Sequence, residues 1–283
     1  MNSVRTITVL GAGTMGHGIA HAAAASGYDT RLYDVSPEQL EKARAEIEGI
    51  LRKGVELGKA AAADADAALS RLSTSTDEAT ALDGTDFIIE AAPERMDLKL
   101  KLFADIERHA PAGAVIATNT SALSITEMAG SIANPSRVAG MHFFNPVQKM
   151  KLVEIVRALE SSAATLETVE TVARRMGKET VLVREAPGFI TTRVNASIGN
   201  EAFYMLMEGV ASARDIDKAL KLGLNHPMGP FELVDLVGLD TRLSILEYLH
   251  RSMGEKYRPC PLLTQYVRAG RLGRKVGKGV YEY

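Results

Sequence analysis

Two patterns of apolar positions divide the chain. In the first part, short runs rich in β-branched residues alternate with longer stretches whose apolar positions recur at helical spacing. Thr6–Leu10, Thr30–Tyr33, Phe87–Ala91, Ala114–Ala117 and Val138–Met141 are predicted as strands, with Lys151–Val156 and Thr180–Val183 as two more. From Pro37 to about Leu72 the chain is dominated by Ala, Glu, Lys and Arg, which predicts two helices, the first opened by Pro37. The repetitive centre of that stretch, Lys59–Leu69, has the helix propensity of alanine and reads as an exposed helix rather than a disordered tract. Strands alternating with helices imply βαβ units and a parallel sheet. The pattern changes at Ala186-Pro187-Gly188, a strong punctuation of any chain. Beyond it only helical periodicity remains, over Phe189–Glu208, Ser212–Leu222, Phe231–Met253 and Pro261–Ala269. The expectation is an α/β domain over 1–186, Rossmann-type and doubly wound around a mainly parallel sheet, followed by an all-α domain over 187–283. A length of 283 residues suits two domains.

The first strand runs straight into Gly11-Ala12-Gly13-Thr14-Met15-Gly16, and an alanine-rich helical stretch follows from His17. In that strand–turn–helix setting, G-x-G-x-x-G predicts a dinucleotide site. Gly11 permits the tight turn, Gly13 lets a pyrophosphate approach the backbone, and Gly16 lets the helix pack on the sheet. The start of the helix, Thr14 and Met15 included, offers free N–H groups and a partial positive charge to the phosphates. Asp34, 23 residues after Gly11 and at the end of the next strand, can accept both ribose hydroxyls of the adenosine. An acid there repels a 2′-phosphate, and Val35-Ser36 supplies no arginine to bind one, so NAD is expected rather than NADP. His17 and His21 lie one helical turn apart, a metal-ligand spacing, but no third ligand stands nearby in sequence and no metal is expected.

A second informative stretch runs from Arg137 through His142 and Asn145-Pro146 to Glu154. His142 ends an apolar run, where open α/β sheets place their ligands. Glu154 interrupts an apolar run, and an ionised carboxylate there must be paired or exposed. A turn at Asn145-Pro146 brings the two runs together if they pair, and Glu154 can then hold the His142 ring. Dehydrogenation of an alcohol needs one such base, because imidazole takes the hydroxyl proton as hydride leaves for a nicotinamide. Taken alone, a strand-end histidine is more often a satisfied structural group, so the spacing suggests the dyad without establishing it. Asn119 and Ser121 follow another strand. Ser121 can donate to a substrate oxygen and Asn119 can contact a cofactor, yet the same stretch serves equally as a cap before Ile125–Ala129, and the residues leave that choice open.

Composition narrows the partners. Lys and Arg total 33 against 35 Asp and Glu, a net charge of −2, so no field of one sign points to nucleic acid. The single cysteine, Cys260, excludes an internal disulfide framework. No apolar run reaches the length of a membrane span, and Thr6–Leu10 passes into the glycine turn rather than a cleavage site. A soluble, cytoplasmic protein is expected.

GAGTMGHGIA, IIEAAPERMDLKLKLF, ATNTSALSIT, GMHFFNPVQKMKLVEIV, APGFI, LGLNHPMGPFELVDLVGLD and GRKVGKGVYEY together resemble the short-chain (S)-3-hydroxyacyl-CoA dehydrogenase family, of the 3-hydroxybutyryl-CoA dehydrogenase type, over essentially the whole chain. HFFNP followed by KLVEIV is far more specific than the glycine turn. The resemblance implies NAD-dependent interconversion of (S)-3-hydroxyacyl-CoA and 3-oxoacyl-CoA in fatty acid metabolism, and a homodimer paired through the helical domain. It implies His142 as base, Glu154 as its orienting carboxylate and Ser121 as a contact to the reacting oxygen. Glu94, Lys99, Asn145 and Lys275 match cofactor-contacting positions. One position departs: where the family shows asparagine before the arginine of its GF-hydrophobic-V-N-R motif, this chain has Thr192 before Arg193. Asn195, three residues on and on nearly the same helix face, is the amide at hand. The family also uses the Pro37–Leu72 region to hold CoA, where Arg44, Arg52, Lys53 and Lys59 supply cations; solvated helix charges are the alternative for each. Two other readings stand beside this one: a dehydrogenase of a free hydroxy or sugar acid, and a crystallin-like NAD-binding protein without catalysis.

Overall fold

A computed structural model describes residues 4–283, which form two compact units, the first ending at Glu185 and the second running from Ala186 to Tyr283. In the first unit the chain runs β1 (Thr6–Leu10), α1 (Thr14–Ala25), β2 (Asp29–Tyr33), α2 (Pro37–Glu56), α3 (Ala62–Ser70), β3 (Leu72–Ser75), α4 (Glu78–Leu82), β4 (Phe87–Glu90), α5 (Met96–His109), β5 (Val115–Thr118), α6 (Ile125–Ala129), β6 (Val138–Phe143), β7 (Leu152–Arg157), α7 (Ala163–Arg175) and β8 (Glu179–Arg184). The eight strands form one sheet in the order β3-β2-β1-β4-β5-β6-β7-β8. Strands β1 to β6 are parallel, β7 runs antiparallel to β6, and β8 is parallel to β7. The winding reverses between β1 and β4, and the carboxyl ends of strands at such a switch are where these sheets bind ligands.

Side-chain size explains the local packing. In β1 and β4 Ile7, Val9, Leu10, Phe87, Ile88 and Ile89 have no exposed surface, as central strands covered on both faces require. Helix α1 presents Gly16, Ala20, Ala23 and Ala24 to the interior, so its axis can lie close to the sheet. Helix α2 starts at Ser36, whose Oγ accepts from the Gln39 N–H at 3.1 Å, with Pro37 next. Its buried stripe, Leu40, Ala43, Ile47 and Leu51, has the helical spacing that the sequence displays.

Strand β3 is an element that the sequence pattern conceals. Only Leu72 of Leu-Ser-Thr-Ser is buried, so this edge strand has no apolar signal, and hydrogen bonding to β2 creates it.

The second unit is helical: α8 (Thr191–Met207), α9 (Ala213–Gly223), α10 (Pro230–Val237), α11 (Leu239–Met253) and α12 (Pro261–Arg268). Its own core gathers Phe203, Phe231, Leu246, Leu249 and Leu263, with the Phe203 and Phe231 rings edge to face at 5.2 Å. The helix expected over Phe231–Met253 is two helices, broken at Gly238. Gly238 has φ 107°, and a Cβ there would lie 2.8 Å from Asp240 Oδ1, so this position needs glycine and the helix cannot continue through it. Among the described residues no helix is long and apolar enough to cross a membrane.

Candidate active site

The turn after β1 is built by exclusion. Gly11 has φ 100°, and a Cβ on it would sit 2.8 Å from the Ala91 carbonyl oxygen at the end of β4. A Cβ on Gly16 would run into the Gly11 carbonyl oxygen. Gly13 differs, because among the described residues beyond its chain neighbours nothing lies within 4 Å of where its Cβ would be. Helix α1 begins there with no side-chain cap and no acid in its first turn, although its first N–H groups lack intrahelical acceptors. An uncapped helix start facing open space suits a pyrophosphate. Asp34 accepts from the Ala12 N–H at 2.8 Å and from the Ser36 N–H at 3.0 Å. The carboxylate thereby fixes the turn, and with about four lone-pair sites it retains capacity for ribose hydroxyls. These residues fit a dinucleotide.

At the ends of β4 and β5 lies a network that the sequence reading covered only in part. Glu90, the last residue of β4, is 0 % exposed; its carboxylate accepts from Lys99 Nζ at 2.7 and 2.8 Å, from Thr118 Oγ1 at 2.6 Å and from the Ala92 N–H at 2.7 Å. Lys99, on the first turn of α5, is buried and therefore meets a carboxylate before it meets anything else. Glu94 Oε1 accepts from Thr120 Oγ1 at 2.7 Å, from the Ser121 N–H at 2.8 Å and from Ser121 Oγ at 3.1 Å. Ser121 thus sits in a carboxylate-bound turn, and the cap of α6 is Ser124, whose Oγ accepts from the Glu127 N–H. Asn119 Oδ1 accepts from the Phe143 N–H at 2.8 Å, tying the end of β5 to the end of β6. Sequence reasoning missed Glu90; its signal was an acid closing the apolar run Phe-Ile-Ile-Glu with a lysine nine residues on, since buried charges come paired.

His142 and Glu154 stand directly opposite each other on antiparallel β6 and β7. His142 Nδ1 and Glu154 Oε2 are 2.7 Å apart, Glu154 is 0 % exposed, and the His142 ring lies against Phe144 at 4.5 Å. His142 falls inside β6 rather than just beyond it, because the strand continues to Phe143. Asn145 is exposed and precedes Pro146 through a cis peptide bond between β6 and β7. In the second unit Thr192 is the second residue of α8 and half-buried, as is Asn195 one turn on. Lys275, in the same unit, pairs with Asp240 at 2.6 Å.

Beside the glycine turn a cavity of about 920 Å³ is bordered by Gly13, Thr14, Lys42, Lys53, Lys59 and Lys149. Of the cations singled out in the α2–α3 stretch, Lys53 and Lys59 line it. Arg52 is paired with Asp66 at 2.7 Å, and Arg44 is an exposed residue outside the lining. His17 also borders the cavity, with Nδ1 3.0 Å from the Gly13 carbonyl and 3.2 Å from Glu46. The neighbouring His21 has a buried Nδ1 without a hydrogen-bond partner among the described residues, and burial, aided by Lys178 and His17, pushes its pKa down to about 4.

Comparison with known proteins gives this geometry a lineage. The family model for the NAD binding domain of 3-hydroxyacyl-CoA dehydrogenase matches residues 6–186, and that for the C-terminal domain of the same family matches residues 188–283. A probable 3-hydroxybutyryl-CoA dehydrogenase of Bacillus subtilis is 46 % identical over 281 residues, spanning 99 % of this chain and 98 % of its own. A 3-hydroxybutyryl-CoA dehydrogenase of Bradyrhizobium diazoefficiens is 42 % identical over 281 residues, spanning 99 % and 96 %. The crystal structure of (S)-3-hydroxybutyryl-CoA dehydrogenase from Ralstonia eutropha superposes with a TM-score of 0.95 at 43 % identity, covering 99 % of each chain. With both domains matched in order and NAD as the cofactor of the first, the chain belongs to the 3-hydroxyacyl-CoA dehydrogenase family and is an NAD-dependent enzyme of that family.

Proposed function

We propose that this enzyme interconverts (S)-3-hydroxybutyryl-CoA and acetoacetyl-CoA with NAD, with the paired His142 and Glu154 as its acid–base machinery. The observation that carries the reading is the buried 2.7 Å contact between His142 Nδ1 and Glu154 at the end of the sheet. A carboxylate on Nδ1 sets the tautomer, so Nε2 becomes the nitrogen that receives a proton. In oxidation His142 Nε2 takes the proton of the 3-hydroxyl and the C3–H bond breaks with its electron pair, leaving a C3 carbonyl; reduction returns both. NAD, when bound, supplies the acceptor for that hydride. Glu154 stabilises the imidazolium, and Ser121 donates to the 3-oxygen. Gly11, Gly13, Thr14, Met15 and Gly16 hold the pyrophosphate and Asp34 the adenosine ribose; Glu94, Asn119, Asn145 and Lys275 complete the set of cofactor contacts, while Lys99, expected among them, is buried against Glu90 and stands behind Glu94. Thr192 takes the place of the family's asparagine, offering a hydroxyl in place of an amide.

The cavity beside the glycine turn suits the CoA moiety, because Lys42, Lys53, Lys59 and Lys149 on its border provide local cations for phosphates in a protein of net charge −2. Pairing of two copies through the second unit is supported by exposed Val194, Val210, Leu222 and Leu224; a solution mass of twice the chain would agree with it.

The deciding experiment is NADH oxidation with acetoacetyl-CoA, set beside free acetoacetate and beside NADPH as donor. Turnover of the ester with NADH alone is expected. Turnover of the free acid alone would replace the substrate class. NADH binding without turnover of either would favour a structural, crystallin-like role.

A further inference from the structure

Glu90 and Lys99 form a deeply buried ion pair close to the turn that carries Ser121. Glu90 is 0 % exposed and the Lys99 side chain 1 %. Two charges so deeply buried lose their hydration, and apolar residues of similar volume are often as stable or more so. What the pair does is reach the turn that carries Ser121. Lys99 Nζ lies 3.6 Å from Glu94 Oε2, and among the described residues it is the one cation within ion-pair distance of Glu94. This contact is to Oε2 of Glu94, a side chain 39 % exposed, while Oε1 faces the Ser121 turn.

The other oxygen of Glu94 is oversubscribed. Oε1 has four donors around it: Thr120 Oγ1 at 2.7 Å, Ser121 N–H at 2.8 Å, Ser121 Oγ at 3.1 Å and Ala122 N–H at 3.2 Å. A carboxylate oxygen has about two lone-pair sites, so the two short contacts satisfy it and the Ser121 hydroxyl is held loosely. The Ser121 backbone is thereby clamped while its hydroxyl proton can swing to another acceptor at little cost.

We propose that Glu90 and Lys99 are positioning residues for the reaction: Glu90 anchors Lys99, Lys99 holds Glu94, and Glu94 fixes the backbone of Ser121 so that its hydroxyl is presented to the 3-oxygen of the substrate. This rests on the substrate contact given to Ser121 above.

The test is a mutant cycle. Glu90→Gln/Lys99→Met removes both charges together and so avoids stranding one of them in the core. Its kcat for acetoacetyl-CoA reduction is measured in the otherwise native enzyme and in a Ser121→Ala background. The expected result is a loss of about tenfold in the native background and less than about twofold in the Ser121→Ala background, because contributions that pass through one group are not additive. Equal losses in both backgrounds would overturn the proposal, since the pair would then act by another route, such as cofactor affinity read from NADH fluorescence. Should Ser121→Ala itself leave kcat unchanged, the role of Ser121 fails and the proposal with it, a result distinct from equal losses. Glu94→Gln, on a partly exposed side chain, repeats the cycle if the buried double variant does not fold, with the same non-additivity expected.

Discussion

The two units bury acids in the same way and use them differently. In the first, Glu154 holds an imidazole and Glu90 holds the Lys99 ammonium. In the second, Asp217 and Asp235 hold backbone. Asp235 accepts from the Val280 and Tyr281 N–H groups at 2.8 and 2.9 Å and from the Tyr283 hydroxyl at 3.0 Å, fastening the end of the chain to α10. Asp217 accepts from the Phe231 and Glu232 N–H groups, at 2.8 and 3.1 Å, and from the Tyr281 hydroxyl at 2.7 Å. Burial pushes the Asp217 carboxyl up, against the pull of these donors, and burial together with Asp217 pushes the Tyr281 phenol up as well. A Cβ on Gly229 or Gly279 would overlap Asp217 or Asp235, so the backbone closes directly onto these carboxylates. Burial of an acid therefore does not mark a catalytic site. Under the proposed mechanism the difference lies in what the acid holds: Glu154 holds an imidazole that can carry a proton, whereas Asp217 and Asp235 hold chain segments in place.

That contrast can be broken by experiment. The largest effect is expected for His142→Gln, with kcat lower by about 10²- to 10⁴-fold, the range for a lost general acid–base group, while NADH titration shows binding retained. Turnover near normal would remove His142 from the chemistry. Glu154→Gln should come next. A charge-assisted hydrogen bond of ~1.5–3 kcal/mol converts to about 10- to 150-fold in kcat. The pH–rate profile should change shape as well as height, since the imidazolium loses its carboxylate; a profile merely scaled down would assign Glu154 to structure.

Asp235→Asn should show the opposite signature. Denaturant melts should lose ~1–3 kcal/mol of stability, with turnover per folded molecule unchanged within about twofold. A collapse of turnover at full stability would end the distinction between the units.

The smallest effect concerns a histidine without a carboxylate on its Nδ1. The folded protein resists protonating His21, whose pKa is about 4 against 6.5 for the free side chain. The unfolded chain therefore binds more protons between those two values, and stability falls as the pH drops through that window. By linkage this loss reaches about 1 kcal/mol at pH 6, and His21→Gln should flatten that portion of the thermal-midpoint profile. An unchanged profile would show that His21 is solvated.

Much of the fold was legible in residue order. Each strand predicted from β-branched runs is present, and a mainly parallel doubly wound sheet followed by helices is the architecture observed. The glycine turn was legible because Gly11 and Gly16 each meet a constraint set by their neighbours. Strand β3 was hidden since its Ser-Thr-Ser has no apolar face of its own, and the break at Gly238 was hidden by helical spacing that runs through it. For the site the sequence supplied candidates by residue type and position, and the comparisons carry the family. The site's partnerships were less legible: Glu90 was overlooked, and Asn119 holds the Phe143 N–H with its oxygen.

By itself, the sequence determined whatever depends on residues within a turn of one another: the glycine turn, the Ser36 cap with Pro37, the stripe of α2, and the change of periodicity at Ala186-Pro187-Gly188. Only the tertiary structure decided which distant groups share a hydrogen bond. His142 meets Glu154 because β7 reverses against β6 in one register, and a slip of one residue would send the carboxylate to the other face. Glu90 meets Thr118 because β4 and β5 end level, and Asp235 meets Tyr281 because the end of the chain folds back on α10. Such pairings are settled by burial, which leaves each polar group to the partners that packing brings within reach.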